Sequence, residues 1–160
     1  RFAAWAWHPR KLTTTVRQSG RSDPLRTVFL DANIIFSAAY KPDSRLCVLC
    51  SLPDVTLVTS SYSVEEARRN LPESFHKNTL DRLVKDLRIL LETSKDCHFP
   101  ASLKIPEKNH PILIGAVLTK ADVLLTGDVR HFGPYFGKKI KGIRILTPAA
   151  FLASLERKSA

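Results

Sequence analysis

A chain of 160 residues has room for one domain with a real core and hardly for two. Its 44% hydrophobic and 25% charged residues are those of an ordinary globular protein, and no apolar run nears the roughly 20 residues of a membrane-crossing helix. The formal net charge of +10 favours a polyanionic partner, RNA or DNA being the commonest, and three cysteines, an odd count, argue against a disulfide framework and for a reducing cytoplasm.

The cationic surplus is uneven. Arg1, Arg10, Lys11, Arg17, Arg21 and Arg26 stand against the single acid Asp23, so residues 1–26 carry about half of the net charge. This stretch keeps neither strand nor helix periodicity, and its apolar run Phe2-Ala3-Ala4-Trp5-Ala6-Trp7 is short for a secretory signal. It reads as a mobile basic N-terminal extension, with a transit peptide as the alternative. From Thr27 the pattern becomes regular. Thr27-Val28-Phe29-Leu30 predicts a short buried strand ending on Asp31, residues 33–40 a helix, and Lys41-Pro42-Asp43 its break. A second short helix is expected over 44–52 and a strand over 55–59. A helix holding Glu65, Glu66 and Leu71 follows, with Ser60 or Ser61 able to cap it. Leu80, Leu83, Val84, Leu87, Leu90 and Leu91 share one face of a longer helix ending near Thr93. A brief strand over 97–99, a helix over 111–119 and a strand over 123–126 lead into Gly127-Asp128. A strand over 143–146 and a closing helix over 148–157, with Pro148 in its first turn, complete the order. Strands alternating with helices make one α/β domain over residues 27–157, a three-layer α/β/α stack around a mostly parallel sheet.

In such a sheet ligands gather at the carboxyl edge, where the strand order reverses. Two strands are expected to end in carboxylates there: Asp31 after Val28-Phe29-Leu30, and Asp128 after Val123-Leu124-Leu125-Thr126-Gly127. Buried acids close to other acids are costly as anions unless a cation neutralises them. Hard oxygen donors without a His–Cys set suit Mg2+ or Mn2+ rather than zinc. Such an ion can make hydroxide from water and stabilise an in-line displacement at phosphorus. The plain alternative for each Asp is a helix N-cap, a common role after a strand. Two at matching strand ends, in a basic chain, favour function.

Val28-Phe29-Leu30-Asp31-Ala32-Asn33-Ile34-Ile35-Phe36-Ser37 resembles the opening motif of PIN domains, the nuclease fold of VapC-like toxins. Leu124-Leu125-Thr126-Gly127-Asp128-Val129-Arg130-His131-Phe132 resembles their threonine-glycine-aspartate turn. Between them, Val64-Glu65-Glu66-Ala67-Arg68-Arg69-Asn70-Leu71 is similar to the family's glutamate-bearing helix, with Glu66 as the better positional match. Gly142-Ile143-Arg144-Ile145-Leu146-Thr147-Pro148 is similar to its last strand and helix, so the resemblance spans residues 27–152. It implies a metal-dependent endoribonuclease, the toxin of a toxin–antitoxin pair. RNA would be the substrate, Mg2+ or Mn2+ the cofactor held by Asp31, Glu66 and Asp128, a small antitoxin protein the partner, and a homodimer the assembly.

One position departs from the family's pattern. Pro106-Glu107-Lys108-Asn109-His110-Pro111-Ile112-Leu113 is similar to the third acidic motif, yet Asn109 stands where an aspartate is expected. Asn and Asp both cap helices well, so the fold should be indifferent to the swap. A neutral oxygen in place of a charge weakens the hold on a divalent ion. The alternative function is therefore a catalytically weakened or inactive domain that binds RNA. Glu107, two residues away, would point elsewhere on a helix start. Within this reading Asn109 is a reduced fourth ligand, Thr126 and Ser37 orient a water or the scissile phosphate, and Asn33 steadies Asp31. Each has an ordinary role beside the functional one: Thr126 as a strand residue, Ser37 as a small packing residue, Asn33 as a cap.

Lys138, Lys139, Lys141 and Arg144, with no intervening acid, are the best candidates for tracking RNA phosphates near the site. Cys47-Val48-Leu49-Cys50 lacks a second pair and reads as core packing. His76, His98 and His110 are too scattered for zinc, and His131 reads as a helix-surface residue beside the metals. Phe132, Tyr135 and Phe136 read as core before base stacking. A phosphotransferase using Asp31 as nucleophile would want a second Asp two positions on, where Asn33 stands.

Overall fold

The apolar runs of the sequence become β1 (Arg26–Leu30), β2 (Val55–Ser60), β3 (Arg88–Leu90), β4 (Val123–Leu125), β5 (Lys139–Ile140) and β6 (Ile143–Leu146). They form a six-stranded sheet in the order β3-β2-β1-β4-β6-β5, parallel throughout except for the β5–β6 hairpin. This computed structural model describes residues 26–41, 44–91 and 97–158. The extension before Arg26, the break at Pro42-Asp43 and the expected helix end at Thr93 lie outside the described residues.

The helices are α1 (Ala32–Tyr40), α2 (Ser44–Ser51), α3 (Ser61–Asn70), α4 (Ser74–Val84), α5 (His110–Leu118), α6 (Val129–Phe132) and α7 (Pro148–Glu156). Both faces of a parallel sheet are covered, which is why its central strands are apolar without a break. Successive side chains alternate between the layers. Val28, Leu30, Val123 and Leu125 pack with α1, α2, α3, α4 and α7, while Phe29, Leu124 and Ile145 pack with α5 and α6. Helix α5 lies so close to β1 that a Cβ on Gly115 would come within 2.7 Å of the Phe29 ring. The three-layer α/β/α architecture with a mostly parallel sheet is the expected one.

Two expectations are corrected. The long helix over Leu80 to Leu91 stops at Val84, and residues 88–90 form β3 beside β2. A short apolar run fits either period, and the open edge of β2 decides between them. The stretch 97–99 is not a strand; Phe99 instead packs its ring against His110. The sequence reading also missed β5, while His131, expected on a helix, lies in α6. Cys50 is a half-buried thiol packed against the core, and the side chain of Cys47 lies outside what is described.

The strand order reverses at β1. The chain builds outward through β2 to β3, then returns to place β4 on the other side of β1. A crevice therefore opens beyond the carboxyl ends of β1 and β4.

Candidate active site

Asp31 and Asp128 stand at this crevice, because one follows β1 and the other follows β4 and its Thr126-Gly127 turn. Both also cap helices: Asp31 Oδ1 accepts from the Ala32 amide at 2.6 Å, and Asp128 Oδ1 accepts from the His131 amide at 3.1 Å. Capping and facing the cleft are compatible, since a carboxylate has a second oxygen. Helix α3 supplies Glu66, while its neighbour Glu65 is turned outward to Arg68. The three carboxylates line one cleft of about 450 Å³, together with Asn33, Ser37, Tyr62, Lys108, Asn109, Gly127 and His131.

Behind the cleft wall a small hydrogen-bond network fixes Asp31. The Thr126 hydroxyl donates to Asp31 Oδ2 at 2.7 Å and accepts from Asn33 Nδ2 and from the Asp128 amide. One hydrogen and two lone pairs are thereby used, and Thr126 is fully buried. It has nothing left with which to orient a phosphate, so its expected role is corrected to positioning Asp31. Asn33 bridges the two loops: Nδ2 donates to Asp31 Oδ2 at 3.0 Å, and Oδ1 accepts from the Gly127 amide at 2.9 Å. Ser37 lines the cleft from α1 as an exposed side chain.

The electrostatics of the two aspartates differ. Asp31 is only 6% exposed, and burial pushes its carboxyl up to about 6. Hydrogen bonds from Thr126 and Ala32 oppose the rise, while the charges of Glu66 and Asp128 add to it. Burial disfavours the Asp128 anion too, but the His131 side chain and amide, with help from Asn109, outweigh it and hold that carboxyl below the ordinary range. Tyr62, whose hydroxyl donates to the Lys108 carbonyl at 3.3 Å, has its phenol pushed up by burial and by Glu66.

Asn109 does not behave as a cap. A short 3-10 turn (Glu107–Asn109) leads into α5, and the Asn109 side chain makes no cap hydrogen bond. Its Nδ2 instead points to Asp128 Oδ2 at 3.4 Å. The swap from Asp to Asn is therefore felt by the site itself and not by the helix. Glu107 is exposed and is not on the cleft wall.

Lys138, Lys139, Lys141 and Arg144, expected near the site, are not among the residues that line the cleft. Strand β6 runs parallel to β4, so the chain after Asp128 must return to the amino edge of the sheet before β6 begins. Arg144 is level with Val123 at the start of β4, and Lys139 pairs with Arg144. Lys141 sits in the turn with its ammonium 5.4 Å from the Phe99 ring centre. Nearness in sequence to Asp128 misled here. Lys108 and Tyr62 line the cleft without having been singled out; Tyr62 lies one helical turn before Glu66, a spacing that would have found it.

Clustered carboxylate oxygens, one of them buried against its charge, have the donor chemistry that Mg2+ or Mn2+ prefers. Among the described residues no three acidic, histidine or cysteine side chains are drawn tightly enough together to close round an ion as they stand. No helix among the described residues is long and apolar enough to cross a membrane.

Neither a family model nor a curated protein matches the chain. Solved structures do. A chain of the crystal structure of VapBC2 from Rickettsia felis bound to a DNA fragment from their promoter matches with a TM-score of 0.55 and 21% identity, over 76% of this chain and 98% of that one. A chain of VapBC-1 from nontypeable Haemophilus influenzae matches with a TM-score of 0.52 and 17% identity, over 77% of this chain and 98% of that one. At such identities the likeness shows the fold, and it is the VapC-like PIN fold that the sequence motifs resemble.

Proposed function

We propose that this protein is a metal-dependent endoribonuclease of PIN type, the toxin of a toxin–antitoxin pair acting in the cytoplasm. The observation that carries the reading is the meeting of Asp31, Glu66 and Asp128, distant in sequence, around one cleft at the sheet's reversal point. An anion as costly as buried Asp31 calls for a cation, and Glu66 and Asp128 make that need larger. Asp31, Glu66 and Asp128 would hold Mg2+ or Mn2+, which when bound supplies a nucleophilic hydroxide and charge stabilisation at phosphorus. The chain's own residues do the rest. Thr126 and Asn33 hold the Asp31 carboxylate in one orientation, His131 and Asn109 hold that of Asp128, and the cleft admits a backbone phosphate.

The partner would be a small antitoxin protein, a reading supported by the likeness to chains of VapBC structures. Exposed Tyr40 of α1, stacked on His76, and exposed Phe75 of α4, tilted against the same ring, offer such a partner an aromatic foothold. The test is cleavage of single-stranded RNA with Mn2+ or Mg2+. Cutting that is abolished by EDTA and by Asp31→Asn supports the nuclease; binding without cutting, unchanged by Asp31→Asn, overturns it. That second outcome is the reading favoured by Asn109, a neutral side chain at a position facing Asp128: a weakened or inactive PIN domain that still binds RNA.

A further inference from the structure

The Asp128–His131 pair fixes more than the start of α6. Nδ1 of His131 lies 2.7 Å from Asp128 Oδ2. A carboxylate only accepts, so at this distance the proton between them belongs to Nδ1. In the neutral ring this leaves Nε2 with a lone pair and no hydrogen. Nε2 has no hydrogen-bond partner among the described residues and is not one of the buried orphan atoms. It is therefore open to the water of the cleft that His131 lines. The ring cannot exchange its nitrogens without breaking the bond to Asp128, which is itself held by the His131 amide and by Asn109. The cleft thus presents one oriented acceptor beside three carboxylates.

An acceptor discriminates by what can donate to it. Phosphate, ester and ring oxygens of a nucleic-acid backbone accept only. The one donor on that backbone is the ribose 2′-hydroxyl, which DNA lacks. We propose that His131 reads the sugar: its Nε2 accepts a hydrogen bond from the 2′-hydroxyl of a nucleotide seated at the carboxylates, making the cleft selective for RNA over DNA. The inference rests on the nuclease reading and adds to it the residue that chooses the substrate class.

The test is a cycle of four dissociation constants, for single-stranded RNA and DNA of one sequence against the wild type and His131→Asn. Fluorescence anisotropy reads them in EDTA, so that nothing is cut. The wild type should prefer RNA by about five- to ten-fold, the worth of one hydrogen bond. His131→Asn, which keeps an amide for Asp128, should weaken RNA binding more than DNA binding and bring the preference to about one. His131→Gln, whose carbonyl oxygen reaches towards the place of Nε2, should restore part of it and guards against misfolding of the first variant. Equal weakening of RNA and DNA binding would mean that His131 acts through Asp128 or as a cation on phosphate, and would overturn the proposal. So would a preference that survives His131→Asn. If RNA is cut normally while the preference is untouched, only this inference fails; a protein that neither binds nor cuts either polymer sinks the nuclease reading with it.

Discussion

Asp31→Asn should make the metal-free protein respond to pH in a different way from the wild type. Between pH 3.8 and about 6 the folded wild type keeps a proton on Asp31 that the unfolded chain has already released. The folded state binds more protons than the unfolded one in this window, so stability falls as pH rises, and the full penalty is present above it. A displacement from 3.8 to about 6 corresponds to a loss of about 3 kcal/mol, taking 1.36 kcal/mol per pH unit. The amide of Asp31→Asn is never charged and carries no such penalty, though its nitrogen must face either the Ala32 amide or the donors Thr126 and Asn33. That mismatch costs about 1–3 kcal/mol at every pH. The quantity to measure is therefore the change in the stability difference, from urea unfolding in EDTA at pH 4 and at pH 7.5. It should move by about 2.4 kcal/mol in favour of Asp31→Asn, since about 0.6 kcal/mol of the penalty is already present at pH 4, and this is an upper value because solvent relaxes round the charge. Mn2+ at a hundred times its Kd should then return about 2.7 kcal/mol to the wild type and nothing to the variant. A stability difference that is the same at both pH values would refute the claim that Asp31 is a buried, strained anion.

Other substitutions separate the site from the scaffold. Asn109→Asp places a second carboxylate within reach of Asp128 Oδ2, now 3.4 Å from the amide it replaces; it should lower the melting temperature in EDTA and reduce the Mn2+ concentration needed for half-maximal cleavage, and no change in either would put Asn109 outside the metal's surroundings. Thr126→Val removes the hydroxyl that donates to Asp31 and leaves the Asp128 amide without its acceptor; a stability loss of about 1–3 kcal/mol by denaturant titration, with a pH–rate profile displaced upward, is expected. Gly115→Ala should cost about 1–3 kcal/mol by overpacking against Phe29, which is fully buried, while leaving the metal requirement unchanged. Lys141→Gln, which takes the ammonium away from the Phe99 ring, should lower stability by less than about 1 kcal/mol in denaturant titration.

The fold was legible where pattern and topology agree. Val28-Phe29-Leu30 and Val123-Leu124-Leu125 are too apolar for anything but strands covered on both sides, and both end in the turn that aims an aspartate at the crevice. Leu80 to Leu91 was not legible, because a helical face and a two-residue alternation share Leu87, and only the edge of β2 chooses between them. The acids of the cleft could be named from their motifs, but not what holds them. That Thr126 spends its hydroxyl on Asp31, or that Asn109 turns from its helix to Asp128, depends on side chains 95 and 19 residues apart in sequence. The hairpin cations show the opposite error: a parallel strand must restart at the amino edge, so closeness along the chain to Asp128 carried Lys141 and Arg144 away from it.

The central claim is that an ion sits among these carboxylates, and anomalous diffraction from crystals grown with Mn2+ tests it most directly. A peak in the cleft, about 2–2.5 Å from oxygens of Asp31 and at least one of Glu66 and Asp128, is the predicted result. RNA cut by the same preparation with manganese bound elsewhere, or not at all, would contradict it.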